Sequence, residues 1–438
     1  MAEVRPAPAA AAQTFTPHPQ RGPVLGEVHA RPFYPVPTPS RILRFAFTTD
    51  WEQSKKDRGA LTAFCQSRGV QGPAEGLKHL RVTLSDAVLR WEQHSEFTTY
   101  TFEIGGTDRT PFERPAGQLA QVMRDIPQPG PLLSAIDLHL VDTMPDGGLE
   151  GVFDAMSLAA STIDGGIATA ASDFKVTSDG FVRFLIINQN LTPDTAGRLT
   201  QRLLEIETYR VFALLGLPTA QAVTPALRKA EEELTDIARA MTEATGFDGN
   251  HAQLERLMQL ASSLELESSR TDYRFSAVRA YEGIIDQRVE SLRETPLPLG
   301  YPTFATFLAR RVKPALRTCH MVAERQSRLA EKIARNANLL RTRVQVDLEQ
   351  QNRDSMQSMN ERARLQLRMQ QTVEGLSVAA VSYYVLGLLG YLFKGAKDAE
   401  LTKLDSSVLT ALALPFVIFG VAMAVRRIRK QHSEHDHG

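Results

Sequence analysis

Apolar and polar positions along this chain follow three different rhythms. From residue 41 to about 190, short runs of β-branched and aromatic residues alternate with polar ones and stop at Gly, Pro or Asp. "RILRFAF", "HLRVTL", "EFTTYTFEI", "SAIDLHLVD" and "GFVRFLIIN" are of this kind and predict strands. Residues 55–68 interrupt them with a helical pattern. From 191 onward the period becomes helical. Pro193 suits the first turn of a helix that stops at Gly216, Leu217 and Pro218, and further helices are predicted over about 225–245 and 252–293. Residues 295–302 break the pattern, and a last helix begins near Phe304.

That last helix dominates the reading. Residues 315–374 contain neither Gly nor Pro. Val322, Ile333 and Val344 recur every eleven positions, with Leu329 and Leu340 between them. Eleven residues over three turns keep an apolar stripe nearly parallel to a straight helix axis, as along one strand of a coiled coil, and the preceding helices are expected to pack on it. The helix runs directly into residues 375–393, which carry no charge, and a polar turn separates these from 406–425. Each stretch spans ~30 Å at ~1.5 Å per residue, the thickness of a bilayer core. The fold class expected is therefore α+β. Residues 1–40 form a Pro/Ala-rich arm, 41–190 a mixed sheet with helices, and 191–374 a helical bundle and stalk. Residues 375–425 form a two-span membrane hairpin, and 426–438 a basic, His-rich tail.

Charge refines this. Arg362, Arg364 and Arg368 precede the first span, and Arg426, Arg427, Arg429 and Lys430 follow the second. The turn holds Lys394, Lys397 and Lys403. The outer flanks outnumber the turn, so both termini are expected on the cytoplasmic side of the inner membrane. The N-terminus "MAEVRPAPAAAAQ" lacks a basic region followed by an apolar run, so a cytosolic N-terminal bulk is expected. The chain has 50 basic and 50 acidic residues, and that balance gives no global field toward nucleic acid. The two cysteines, Cys65 and Cys319, stand in no metal or redox spacing.

Several blocks together carry a family resemblance: "GEVHARPF" at 26–33, "LLEIETYRVFALLGLP" at 203–218, "YRFSAVRAYEGII" at 273–285, and the run from "LLRTRVQVDLEQQN" to "VLGLLGYL" at 339–392. The chain resembles a bacterial family of predicted membrane-anchored proteins of unknown function, which implies an anchor and no chemistry. Its architecture is also similar to that of CorA-type magnesium channels, which implies a homo-oligomer whose first spans line a pore. The Gly-Met-Asn tripeptide of those channels is missing; "GYLFK" at 390–394 stands in its place.

Candidate sites follow. Ser377, Tyr384 and Tyr391 are seven apart and share one helix face; Glu374 precedes them by a turn, and Gly387 allows close approach of another helix. Pore lining and helix packing both fit this stripe. His29 and Arg31 suit an anion or partner contact, or an ordinary ion pair within the arm. The tail histidines His432, His435 and His437, with Glu434 and Asp436, suit weak binding of a divalent cation. No phosphate-binding loop, nucleophile elbow or HExxH motif occurs, and "TIDGG" reads as a hairpin turn. The expectation is a non-enzymatic protein without a cofactor, held in a lipid bilayer as a homo-oligomer. Two functions stand: an ion channel with a cytosolic gating domain, or a tethered scaffold that binds a partner.

Overall fold

The computed structural model describes residues 18–21, 25, 33–74, 76–85, 87–106, 111–112, 117–298, 300–399 and 404–433, with 117–119, 122 and 428–433 by backbone alone. The chain divides into two units. One comprises Met1–Arg239 with Arg256–Asn336, the other Ala240–Glu255 with Ala337–Gly438. The fold is α+β, as the periodicity predicts.

In the first unit the described residues form a nine-stranded sheet. Its strands are β1 (Ser40–Thr48), β2 (His79–Thr83), β3 (Val88–Gln93), β4 (Phe97–Gly105), β5 (Leu132–Val141), β6 (Ala159–Ile163), β7 (Ala168–Ser172), β8 (Val182–Asn188) and β9 (Thr295–Pro296). They lie in the order β2-β3-β4-β1-β5-β8-β7-β6-β9. The one parallel pairing among them is β5 with β8, and the β6–β7 hairpin supplies the crossover that a parallel pair requires. Asp164, Gly165 and Gly166 turn that hairpin with positive φ values of 43°, 74° and 102°, which glycine adopts without a Cβ clash. The predicted break at 295–302 contains β9, which pairs with β6.

Strand parity sorts the sheet into two packed faces. Leu43 and Phe47 of β1 join Leu89, Trp91, Tyr100 and Phe102 on one face. There α1 (Trp51–Gln66) buries Leu61, Phe64 and Cys65 against them. A reciprocal capping box between Asp50 and Gln53 fixes the start of α1 and satisfies two amides that would otherwise lack partners. Cys65 is fully buried within this cluster. Met123 of α2 (Gly117–Asp125) packs against the same cluster.

The other face meets α3 (Pro193–Leu214), which buries Leu199, Leu203 and Ile206. Gly197 of α3 lets the chain at Tyr34 approach: a Cβ there would stand 1.9 Å from the Tyr34 carbonyl oxygen. The Val36 amide donates to the Pro193 carbonyl at 2.9 Å and completes the seam.

The predicted stop at residues 216–218 is a break of one residue, Leu215, after which α4 (Gly216–Glu243) begins at once. Pro218 falls in its first turn, where no intrahelical partner for an N–H exists, so the proline does not end the helix. A Cβ on Gly216 would lie 2.4 Å from Val278 Cγ2 and 3.1 Å from Cys319 Sγ, so this junction needs glycine to close. The remaining helices are α5 (Gly246–Glu290), α6 (Phe304–Arg311), α7 (Lys313–Asp398) and α8 (Ser406–Ser433).

Val322, Leu329, Ile333 and Leu340 of α7 are buried, while Val344 is half-buried. Beyond Asp347 the helix is exposed until Glu374. In the second unit Arg343 Nη1 donates to the Met241 carbonyl at 2.8 Å, and Asn250 Nδ2 donates to Asp347 Oδ2 at 2.7 Å.

Candidate functional site

Arg41 and Arg44 sit three residues apart on β1, so parity sends them to opposite faces, and each enters a different pocket. Arg41 lies opposite His139 of β5, and Asp137 is two residues along on the same face. Arg41 donates from Nε to Asp137 Oδ1 at 3.0 Å and from Nη2 to Oδ2 at 2.8 Å, a bidentate pair that is almost fully buried. Burial alone would raise the Asp137 carboxyl, but hydrogen bonds and charge from His139 and Arg41 outweigh it and hold the group below its ordinary range.

His139 Nε2 lies 3.2 Å from the Phe112 amide and 3.3 Å from Asp137 Oδ1. These contacts demand opposite roles of one nitrogen. An imidazole protonated at Nδ1 accepts from Phe112; one protonated at Nε2 donates to Asp137. The proton position on His139 therefore decides which neighbour it holds.

Phe112 has φ +68°, a strained conformation for a bulky residue. Its ring is fixed by His139 at 4.6 Å and Phe153 at 6.1 Å between centroids, and the Arg183 guanidinium lies 5.1 Å over it. Arg41, Asp137, Arg183, Phe45, Phe112 and Met123 line a cavity of about 430 Å³. An apolar hollow with a few fixed polar groups is the usual form of a small-molecule site.

On the opposite face Arg44 is 2 % exposed. Its Nη2 donates to Glu92 Oε2 at 3.0 Å and to Thr99 Oγ1 at 3.3 Å. Arg90 donates to Gln201 Oε1 at 2.7 Å, and Gln201 Nε2 donates to Glu205 Oε1 at 2.6 Å. Glu205 also accepts from Arg288. Burial pulls the Arg44 guanidinium below its ordinary value; Glu92 and Glu205 pull it back, and Arg90 adds to the fall. Arg44, Glu92, Gln201, Glu205 and Arg288, with Phe33 and Tyr209, line a cavity of about 180 Å³. Strand parity and the carboxylate at Glu92 were visible in the sequence, but their meeting was not, because it depends on the order β3-β4-β1.

The residues singled out by the sequence fall elsewhere. Ser377, Tyr384 and Tyr391 are exposed on one face of α7; Gly387 is exposed with nothing within 4 Å of its Cβ position, and Glu374 is half-buried. Ser382 is buried, and Val378, Val385 and Leu389 are half-buried on the other face; a Cβ on Gly390 there would lie 3.8 Å from Thr410 Oγ1 of α8. His29, Arg31 and the side chains of His432, His435 and His437 lie outside the described residues. Among the described residues no group of three or more His, Cys, Asp or Glu is arranged to hold a metal. Among the described residues two helices, α7 and the segment Ser406–Arg427 of α8, are long and apolar enough to cross a membrane.

No curated protein and no solved structure matches the chain. The resemblance to CorA-type channels accordingly gains no support from a structural neighbour. A model of the family described as "Protein of unknown function (DUF3422)" matches residues 16–432, nearly the whole chain, which therefore belongs to that family.

Proposed function

We propose that the protein is a non-enzymatic, membrane-tethered binding protein. Its C-terminal hairpin lies in the inner membrane, and its α+β unit takes a partner on the cytoplasmic side. The observation that carries this reading is the bareness of the two apolar helices: 6 % of the apolar window in α7 and none of that in α8 is buried. Leu376, Leu388, Leu412, Phe416 and Phe419 are among the side chains left uncovered. In water such area costs ~25 cal/mol per Å², and a bilayer removes that cost. Arg362, Arg364 and Arg368 before the hairpin and Arg426 and Arg427 after it favour two cytoplasmic ends. The Arg41 cavity supports a binding role for the sheet.

The test is fractionation. The full chain should stay with membranes through an alkaline carbonate wash, and a chain ending at Glu374 should not. A reporter active only in the periplasm should be silent after Gly438 and active when inserted at Ala399. Release of the full chain by carbonate, or activity at Gly438, would overturn the reading.

A second reading is an ion channel built from several copies, with α7 lining the pore. One observation favours it: Ser377, Tyr384 and Tyr391 are exposed on the face of α7 opposite its half-buried positions. Polar stripes in spans line water or a helix contact. Cysteines at these three positions, in a chain lacking Cys65 and Cys319, should react with a soluble thiosulfonate in the channel, because thiolates form where water reaches. Protection of all three, with no ion flux in liposomes, leaves the tethered binding protein.

A further inference from the structure

The Arg41 cavity contains an arginine whose nearest counterion is already taken. Arg183 of β8 stands in register with Asp137 of β5 across the parallel pairing. Both Asp137 oxygens are held by Arg41, and His139 Nε2 lies 3.3 Å from one of them. Among the described residues the Arg183 side chain makes no ion pair and no hydrogen bond; its guanidinium rests over the Phe112 ring at 5.1 Å. The residue is half-buried, so water covers it incompletely. A guanidinium carries five N–H donors and no acceptor, and its strongest partner is an ionised oxygen pair that matches its fork.

Charge on the lining residues themselves gives the partner its sign. Arg41, Arg124 and Arg183 line the cavity against Asp137 and Asp179, which leaves one positive charge in excess. Residues 107–110 and 113–116, which flank Phe112 in the chain and lie outside the described residues, hold two acids and two bases and are neutral as a set. Strain falls on the same wall. Phe112 keeps its φ of +68° while its amide donates to His139 and its ring carries Arg183. Backbone strain held in this way gathers at ligand clamps.

The walls give its size and body. A volume of about 430 Å³ admits a guest of roughly ten to fifteen non-hydrogen atoms, judged by a water volume of ~30 Å³. Phe45, Phe181 and Met123 are half-buried and line the same space. Phe45 meets Phe181 edge to face at 5.6 Å, so their apolar surface is held in place. An inorganic anion would answer the charge and leave this surface without a partner. Resting on the binding role given above to the sheet, we propose that the Arg41 cavity takes an organic monoanion, with a carboxylate on the Arg183 guanidinium and an apolar, ring-sized body among Phe45, Phe181 and Met123.

The test is calorimetric titration of the detergent-solubilised full chain, against a detergent blank, with 2-naphthoate, its neutral amide 2-naphthamide, acetate and inorganic phosphate. At matched ionic strength 2-naphthoate should bind saturably, at least about tenfold more tightly than the amide, because only the carboxylate pairs with the guanidinium. It should also exceed acetate and phosphate, which lack the body. Arg183→Gln removes the free guanidinium; it should weaken 2-naphthoate at least about tenfold and leave the amide unchanged. The comparison of acid with amide uses the unaltered chain, so the proposal stays testable if the variant does not fold. No saturable 2-naphthoate binding at millimolar concentration, equal affinity for acid and amide, preference for phosphate, or unchanged affinity in a folded Arg183→Gln would each overturn it. A chain that stays with membranes through carbonate yet binds no 2-naphthoate refutes this ligand and leaves the tether; a chain released by carbonate that binds it refutes the tether alone.

Discussion

Tyr100 donates its phenolic O–H to Asp57 Oδ1 at 2.6 Å, inside the layer between the sheet and α1. Trp91 Nε1–H reaches the other oxygen at 2.8 Å. Burial raises the Asp57 carboxyl to about 6, and the two hydrogen bonds only partly oppose it. The same burial, with the carboxyl beside it, pushes the Tyr100 hydroxyl up, so it stays a donor.

Asp57 should give the protein a stability that declines with rising pH. Below its ordinary value of 3.8 the carboxyl is protonated in both folded and unfolded chains. Between 3.8 and about 6 the folded chain keeps a proton that the unfolded chain releases, so stability falls across that window. The loss amounts to ~3 kcal/mol, complete above the folded value. Asp57→Asn should remove this slope. Denaturant unfolding followed by Trp91 fluorescence, with Trp51→Phe as background, measures it. Parallel pH profiles for parent and variant would refute the assignment.

Breaking the Arg41–Asp137 pair should be severe. Asp137→Asn removes the buried carboxylate that holds Arg41 in a bidentate pair and should cost ~3–5 kcal/mol. The double variant Arg41→Met, Asp137→Leu should recover most of it, because it removes both charges together. Thermal denaturation of the three variants decides; equal losses in single and double variants would show that packing, not charge, is at stake.

Two glycines in helices should respond in opposite directions. Gly197→Ala forces a Cβ against the Tyr34 carbonyl and should destabilise by ~1–3 kcal/mol. Gly59 of α1 has nothing within 4 Å of its Cβ position, so Gly59→Ala should stabilise by ~0.5–1 kcal/mol. Melting temperatures on either side of the parent are the expected result.

Ile333, 2 % exposed, should not tolerate charge. Ile333→Asp should cost several kcal/mol, on the order of 3 or more. Arg341→Gln, at an exposed position on the same helix, should stay within ~0.5 kcal/mol. If Ile333→Asp melts like the parent, the buried stripe on α7 is wrongly assigned.

Strong periodicity and long apolar runs were legible in the sequence: β1, β2, β4, β5, β8, the long α7 and the two apolar segments. Two kinds of element were not. The turn "TIDGG" was legible as a hairpin turn, but the strands of the β6–β7 hairpin were not: "AASTI" and "ATAAS" have small volume and weak strand preference, and tertiary packing decides their state. β3 mixes Arg90, Glu92 and Gln93 with Leu89 and Trp91, so its polar half hid a strand whose both faces are buried. The two cavities depend on the order in which strands lie side by side, and periodicity along one chain does not carry that order.

The alternation of Arg41 and Arg44 on β1 also guards the assembly of the sheet. A slip of one residue against β4 and β5 would turn every side chain of β1 to the wrong face. The Arg41–Asp137 and Arg44–Glu92 pairs of the native register would both be broken. The native register of β1 is therefore the one that satisfies two buried ion pairs, on opposite faces, at the same time.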